Sequence, residues 1–240
     1  MLQQFPNAQA LARAAFDLIV DRATTAVDQR DRFTLALSGG PAPKPLFDEF
    51  ATDRSREQMP WHATHLFWCD ERCVTLDDER SNAGMAYDRF IDEVPVPDDH
   101  AHHVDGRLAP EEAAADYRDQ LTDFFGDELP RFDVAQLGLG TNGHTASLFP
   151  EADALSDRDR WAVATDPAEV PRVTLTYPVL NNTRTVLFLV TEADRAGTVR
   201  EVLEEPHVPR QLPAQGISPS EGDLFWYLTD ESTAELTSAT

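Results

Sequence analysis

"RTVLFLV", residues 184–190, decides the fold class. Val186 to Val190 are all apolar, with β-branched and aromatic side chains among them. A strand with one wet face alternates apolar and polar residues, so an unbroken run implies cover on both faces. "FTLAL" (33–37), "HLFWC" (65–69) and "FDVAQLGLG" (132–140) repeat the theme, and "RVTLT" (172–176) and "LFWYL" (224–228) are shorter candidates. Between them the spacing predicts helices. Residues 8–27 carry apolar side chains three and four apart. Ser81 caps a helix running through Tyr87 and Phe90 to Ile91. Residues 110–125 open on Pro110-Glu111-Glu112, and residues 192–204 follow Thr191 as a cap. Strands alternating with helices predict an α/β fold with a mostly parallel sheet covered on both faces. No internal repeat, low-complexity stretch or long linker interrupts the pattern, so residues 1–240 are expected to form a single domain.

Composition narrows the function. There are 43 acidic residues against 20 basic ones, a formal net charge of −23, and Lys44 is the only lysine. Nucleic acid and anionic membrane surfaces are repelled at long range and are not expected as partners. The acidity reads either as a solvated surface with arginine favoured over lysine, or as adaptation to a salty cytoplasm. No apolar run approaches bilayer length, and the N-terminus lacks a basic segment before a compact apolar one, which places the protein in the cytoplasm. Cys69 and Cys73 lack the further ligands a zinc site needs and are expected to be near-core thiols. "HAHH" (100–103) lies between Pro97 and Gly106 and is expected in a surface loop. No metal or cofactor site is expected.

The polar punctuation is more informative. Ser38-Gly39-Gly40, Asp70-Glu71-Arg72 and the stretch from Gly140 to Ser147 each follow an apolar run, and open parallel sheets bind ligands beyond the carboxyl ends of their strands. Two glycines and a serine at a strand-to-helix junction let backbone N–H groups approach an anion, although the P-loop spacing is missing. Arg72, directly after a strand, is suited to a phosphate or a developing carboxylate, and Arg172 and Arg195 are further candidates to close an anion site. His144, framed by Gly140 and Gly143, titrates near neutral pH and is the candidate for proton transfer. Asn142, two residues before it, stands where an acid would fit equally well.

"LALSGGPAPK", "FWCDERCVTLDDERSNAGMA", "LGLGTNGHTASLFP", "RVTLTYPVLNNTRTVLFLVT" and "LPAQGISPSEGDLFWYLTD" resemble, in order and spacing, the bacterial 6-phosphogluconolactonases over about residues 8 to 234. The resemblance implies a Rossmann-like fold shared with glucosamine-6-phosphate deaminases. It implies hydrolysis of 6-phospho-D-glucono-1,5-lactone to 6-phosphogluconate, in the oxidative pentose phosphate pathway, without metal or organic cofactor. His144 would be the catalytic histidine, with Asp70 and Arg72 beside it. Ser38, Gly39 and Gly40 would form the phosphate loop, joined by Arg172 and Arg195. Asn82, Asn142 and Gly143 would complete the substrate site, and "TASLFP" would run into a short anchoring helix. The partner implied is the small sugar-phosphate lactone, bound by a monomer or weak homo-oligomer.

Three departures stand out. Pro41 and Ala42 replace two hydroxyl residues usual after the Gly-Gly pair, and Asn142 replaces the usual aspartate. Glu192 and Arg195 replace a glycine and a lysine. Two alternatives therefore stay open. One is a glucosamine-6-phosphate deaminase; the other is a non-catalytic sugar-phosphate-binding protein of the same fold, although no DNA-binding segment precedes residue 30.

Overall fold

A computed structural model describes residues 1–166 and 170–237. The strands are β1 (Leu2–Phe5), β2 (Phe33–Leu37), β3 (Thr64–Trp68), β4 (Asp70–Arg72), β5 (Ala101–His102), β6 (Val134–Leu137), β7 (Ala162–Thr165), β8 (Arg172–Leu175), β9 (Thr185–Val190) and β10 (Asp223–Thr229). The helices are α1 (Ala8–Arg30), α2 (Lys44–Phe50), α3 (Asp53–Gln58), α4 (Asn82–Arg89), α5 (Pro110–Phe125), α6 (Tyr177–Asn181) and α7 (Ala196–Glu204). Seven strands form one parallel sheet in the order β1-β10-β9-β6-β2-β3-β5. This is the parallel, doubly covered architecture expected from 184–190. Among the described residues no helix is long and apolar enough to cross a membrane.

Each face of the sheet carries its own core. Leu187 and Leu189 of β9 pack with α1 and α2 around Phe16, Phe47 and Phe50, while Val186, Phe188 and Val190 face the side that holds α5 and α7. Alternate residues thus serve opposite cores, and all six residues of β9 are buried.

The sheet reverses its winding between β2 and β6. From β2 the chain moves outward to β3 and β5; from β6 it moves the other way to β9 and β10. Such a switch point opens a crevice at the carboxyl ends of the two strands. The β2–β6 ladder pairs only Leu35 with Val134 and Ala36 with Ala135. Beyond it, the buried Gln136 side chain accepts from the Ser38 backbone N–H at 3.1 Å and holds the diverging ends together.

A second sheet, antiparallel and three-stranded in the order β4-β8-β7, stands against the carboxyl edge of the first. Cys69 is the pivot: its N–H donates to Leu37 of the parallel sheet at 2.7 Å, and its carbonyl accepts from Leu175 of the small sheet at 2.8 Å. The run 65–69 therefore does not simply end in a charged turn; the chain changes sheets at Cys69.

Other expectations need correction. The "HAHH" segment is not a surface loop, because Ala101–His102 forms the edge strand β5. The His100 ring stacks on His65 with centroids 3.7 Å apart, and His102 stacks on Phe67 at 4.4 Å. Burial, reinforced by neighbouring imidazoles, lowers both His65 and His102 to about 4, so these two rings pack as neutral aromatics. Among the described residues no group of three or more His, Cys, Asp or Glu is placed to hold a metal. The last long helix starts at Ala196 after a single 3-10 turn, with Arg195 rather than Thr191 at its cap. After "TASLFP" the short helix is a single 3-10 turn, Asp153–Ser156, separated from Pro150 by Glu151 and Ala152: Ala146 (φ 47°) and Glu151 (φ 61°) occupy the left-handed region, which breaks a right-handed helix, and Thr145 bridges Leu148. The helix after Ser81 ends at Arg89, short of Ile91, although Ser81 caps it as expected by accepting from Gly84 N–H.

Candidate active site

A pocket of about 240 Å³ lies at the switch point. Ser38, Gly39 and Gly40 after β2, Asp70 and Arg72 of β4, Asn82 opening α4, His144 after β6, Arg172 of β8 and Arg195 before α7 all line it. Of the residues singled out from the sequence, only Asn142 and Gly143 are absent from the lining. Gly143 serves the turn, donating to Gly140 O at 3.0 Å and accepting from Ala214 N at 2.9 Å. Asn142 acts through His144.

That contact fixes the imidazole. Asn142 Oδ1 accepts from the His144 backbone N–H at 3.2 Å and lies 2.6 Å from His144 Nδ1. Since the backbone group can only donate, the amide oxygen, not its nitrogen, faces the histidine. Nδ1 must then carry the proton and Nε2 is the basic nitrogen. Gly140 makes room for the ring: a Cβ there would lie 2.1 Å from the imidazole Cε1 and Nδ1. The ring also packs against Phe149, with centroids 4.6 Å apart. Burial lowers His144 to about 4; Asp70 opposes this, while Arg172, Arg195 and Arg72 reinforce it. The imidazole is neutral at pH 7 and able to accept a proton.

The small sheet arranges the charges by simple alternation. Its register sets Asp70 opposite Thr174, Glu71 opposite Val173 and Arg72 opposite Arg172. Asp70, Arg72 and Arg172 consequently share one face and line the pocket. Asp70 Oδ2 accepts from Ser147 Oγ at 2.6 Å, and Ser147 N donates to Thr174 Oγ1 at 3.2 Å, tying the histidine loop to the sheet. Like charges directly opposite on neighbouring strands are unfavourable on their own. Arg72 and Arg172 are held there by their surroundings: Arg72 Nη1 donates to Arg80 O at 2.5 Å, and the Arg172 guanidinium lies 5.3 Å from the Phe149 ring centroid. Three arginines line the pocket with Asp70 and Glu192, a local cluster of positive groups in a chain of net charge −23, and Arg195 is also paired with Asp194 at 2.6 Å.

Glu71, on the opposite face of β4, carries a role the sequence reading did not assign. Its Oε1 accepts from Arg72 N (2.7 Å) and Asn82 N (2.8 Å), and Oε2 from Ala83 N (2.7 Å) and Ser81 Oγ (3.0 Å). Burial raises its pKa while these four donors oppose the rise. The carboxylate satisfies the orphan N–H groups at the start of α4 and so sets Asn82 in the pocket wall. Asn82 Nδ2 donates to Asp70 O at 2.8 Å, and a Cβ on Gly39 would fall 1.8 Å from Asn82 Oδ1. The glycine loop and α4 thus meet at a contact only glycine permits. The signal for Glu71 was present in the alternation of "DER", but it reads only once 70–72 is known to be a strand. Ser147 and Phe149 were likewise hidden, because their partners lie far away in sequence.

Fold and pocket together define a Rossmann-like α/β protein with three arginines and one imidazole lining a pocket at the sheet's carboxyl edge. The chain belongs to the family described as glucosamine-6-phosphate isomerases/6-phosphogluconolactonase, which it matches over residues 6–226. It is 38% identical over 234 residues to a 6-phosphogluconolactonase of Synechocystis sp. (strain ATCC 27184 / PCC 6803 / Kazusa), covering 96% of this chain and 95% of that protein. It is 36% identical over 245 residues to a 6-phosphogluconolactonase of Homo sapiens, covering 98% and 93%. The solved 6-phosphogluconolactonase of Trypanosoma brucei superposes with a TM-score of 0.85 at 28% identity, covering 99% of this chain and 98% of that one.

Proposed function

We propose that this chain has 6-phosphogluconolactonase activity, hydrolysing 6-phospho-D-glucono-1,5-lactone to 6-phospho-D-gluconate in the oxidative pentose phosphate pathway. The observation that carries the reading is the neutral His144, its tautomer fixed by Asn142, in one pocket with three arginines. The Arg72–Arg172 pair and the backbone N–H groups of Gly39 and Gly40 hold the phosphate; Pro41 adds none, having no N–H. Asp70 and Asn82 accept from and donate to sugar hydroxyls. Arg195, fixed through its Nε–H to Leu139 O at 2.9 Å and paired with Asp194 at 2.6 Å, presents its remaining guanidinium donors at the pocket wall.

His144 Nε2 accepts a proton from water as the water oxygen bonds to the lactone carbonyl carbon. The carbonyl electron pair moves onto its oxygen, where fixed positive charge stabilises it. The intermediate collapses, the bond from that carbon to the ring oxygen breaks, and the ring oxygen takes the proton back from the imidazolium. The product is a carboxylic acid that ionises at neutral pH. As drawn, the reaction uses water, an imidazole and fixed charge, with neither a metal nor an organic cofactor.

Free thiols at Cys69 and Cys73 support a reducing, cytoplasmic location. The dense acidic surface supports function in a salty interior. A coupled assay on freshly generated 6-phosphogluconolactone, run beside an ammonia-release assay on glucosamine 6-phosphate, tests the reading. Lactone hydrolysis without ammonia release is the expected result; ammonia release alone, or neither reaction, rejects it.

A further inference from the structure

A second cavity, of about 300 Å³, lies at the opposite, amino-terminal edge of the parallel sheet. Arg30 and Arg32 precede β2, Arg131 and Asp133 precede β6, and Arg184 precedes β9; all five line it. Strands of about five residues put this edge roughly 16 Å from the catalytic pocket. Four of the chain's 20 lysine and arginine residues therefore converge on one small cavity of a strongly acidic protein.

Three carboxylates face the four arginines, Asp133 and Glu128 in the lining and Glu221 beside Arg131, and do not fully balance them. Asp133 is buried, and its Oδ2 is occupied by the Thr34 N–H and hydroxyl, each at 2.9 Å. Its Oδ1 serves both Arg30 Nη2 at 2.8 Å and Arg184 Nε at 3.4 Å. Arg131 reaches Glu221 at 3.5 Å, and the Arg32 guanidinium lies 4.6 Å from the Phe124 ring centroid. These contacts use a minority of the donors, since each guanidinium offers about five N–H groups. Burial lowers the pKa of Arg184, and Arg30 and Arg131 lower it further, a sign that the charges feel one another. The carbonyl ends of α1 and α5 lie at this edge and suit the cations at Arg30 and Arg32. They do not account for Arg131 and Arg184, which lead into strands.

We propose that this cavity is a second anion site, separate from the catalytic pocket, that binds a small phosphorylated metabolite. The guanidinium forks match phosphate oxygens, and Phe125 and Leu129 give an apolar wall for the organic part.

Calorimetric titration with inorganic pyrophosphate tests it on the whole protein, in three forms: wild type, Arg131→Gln/Arg184→Gln, and Arg72→Gln/Arg172→Gln. Wild type is expected to bind at two sites. The Arg131/Arg184 variant should lose one of them, with affinity there weakened about tenfold or more, while lactone hydrolysis persists. The Arg72/Arg172 variant should keep that same site. A single site abolished by the Arg72/Arg172 change and untouched by the other overturns the proposal. The single variant Arg131→Gln leaves the contacts of Asp133 in place, so it reports on the site even if the double variant misfolds; unchanged binding there also overturns the proposal. Citrate is the control for phosphate geometry, and binding equal to or tighter than pyrophosphate rejects the phosphate class.

Discussion

Replacing Asn142 by aspartate probes the histidine without removing it. In the wild type, Asn142 Oδ1 lies 2.6 Å from His144 Nδ1 and also accepts the backbone N–H at 3.2 Å. Aspartate preserves both acceptor contacts and adds a negative charge beside the imidazole. An opposite charge at such range stabilises an ionised partner by about 1–3 pKa units. Residue 142 is exposed, so screening holds the effect to the low end, about 1–1.5 units. His144 should then move from about 4 to roughly 5–5.5. The sign is definite: below its pKa the imidazole is protonated and cannot accept a proton from water, so a higher pKa moves the loss of activity to higher pH. The assay is kcat/KM on freshly generated lactone between about pH 4 and 8, a ratio that reports ionisations of the free enzyme and free substrate. The phosphate ionisation of the substrate, near pH 6, is common to both proteins and cancels when one profile is divided by the other. The variant-to-wild-type ratio should be flat above about pH 6.5 and fall below about pH 5.5. Superimposable profiles, or an acid limb displaced to lower pH, would refute the assignment of His144 as base and Asn142 as its orienting partner.

Three further outcomes follow from the geometry. Arg172→Gln removes one member of the cross-strand arginine pair and should raise KM by about 10- to 100-fold with a smaller effect on kcat, as loss of a charge-assisted contact predicts; steady-state kinetics with an unchanged KM would exclude it from phosphate binding. Glu71→Gln leaves one acceptor oxygen for four donors. It should cost about 2–4 kcal/mol and lower Tm by roughly 5–10 °C, and a thermal melt superimposable on wild type would show that the carboxylate does not hold α4. Raising potassium chloride from dilute buffer towards molar concentration should increase both Tm and activity by screening the acidic surface; maxima in dilute buffer would reject adaptation to salt.

The parallel sheet was legible because its strands are buried on both faces. No solvated pattern competes with the apolar run in β9, and β2, β3 and β6 were recognised from the same signal. The glycine turns were legible too, since they fall where those runs stop. The small antiparallel sheet was not. "HLFWC" continues smoothly into "DER" as a string of letters, and only the opposed hydrogen bonds of Cys69 show that one strand ends and another begins. Missing that break hid the alternation that sends Asp70 and Arg72 into the pocket and Glu71 to α4. "HAHH" misled for a related reason: polar residues between a proline and a glycine suggest a loop, but lowered pKa values let His65 and His102 pack as neutral aromatic rings. The short helix expected after "TASLFP" is only the 3-10 turn Asp153–Ser156, because Ala146 and Glu151 are left-handed and neither is of a type that announces such a conformation.

His144 Nε2 is proposed to activate water for attack on a phosphorylated lactone. The direct measurement is the hydrolysis rate of freshly generated 6-phosphogluconolactone by His144→Ala, corrected for spontaneous hydrolysis, with circular dichroism and Tm recorded on the same sample. Loss of a general base predicts a rate lower by about 100-fold or more with the fold intact. A correctly folded variant within about twofold of wild type would contradict the account, because general-base removal costs far more than that.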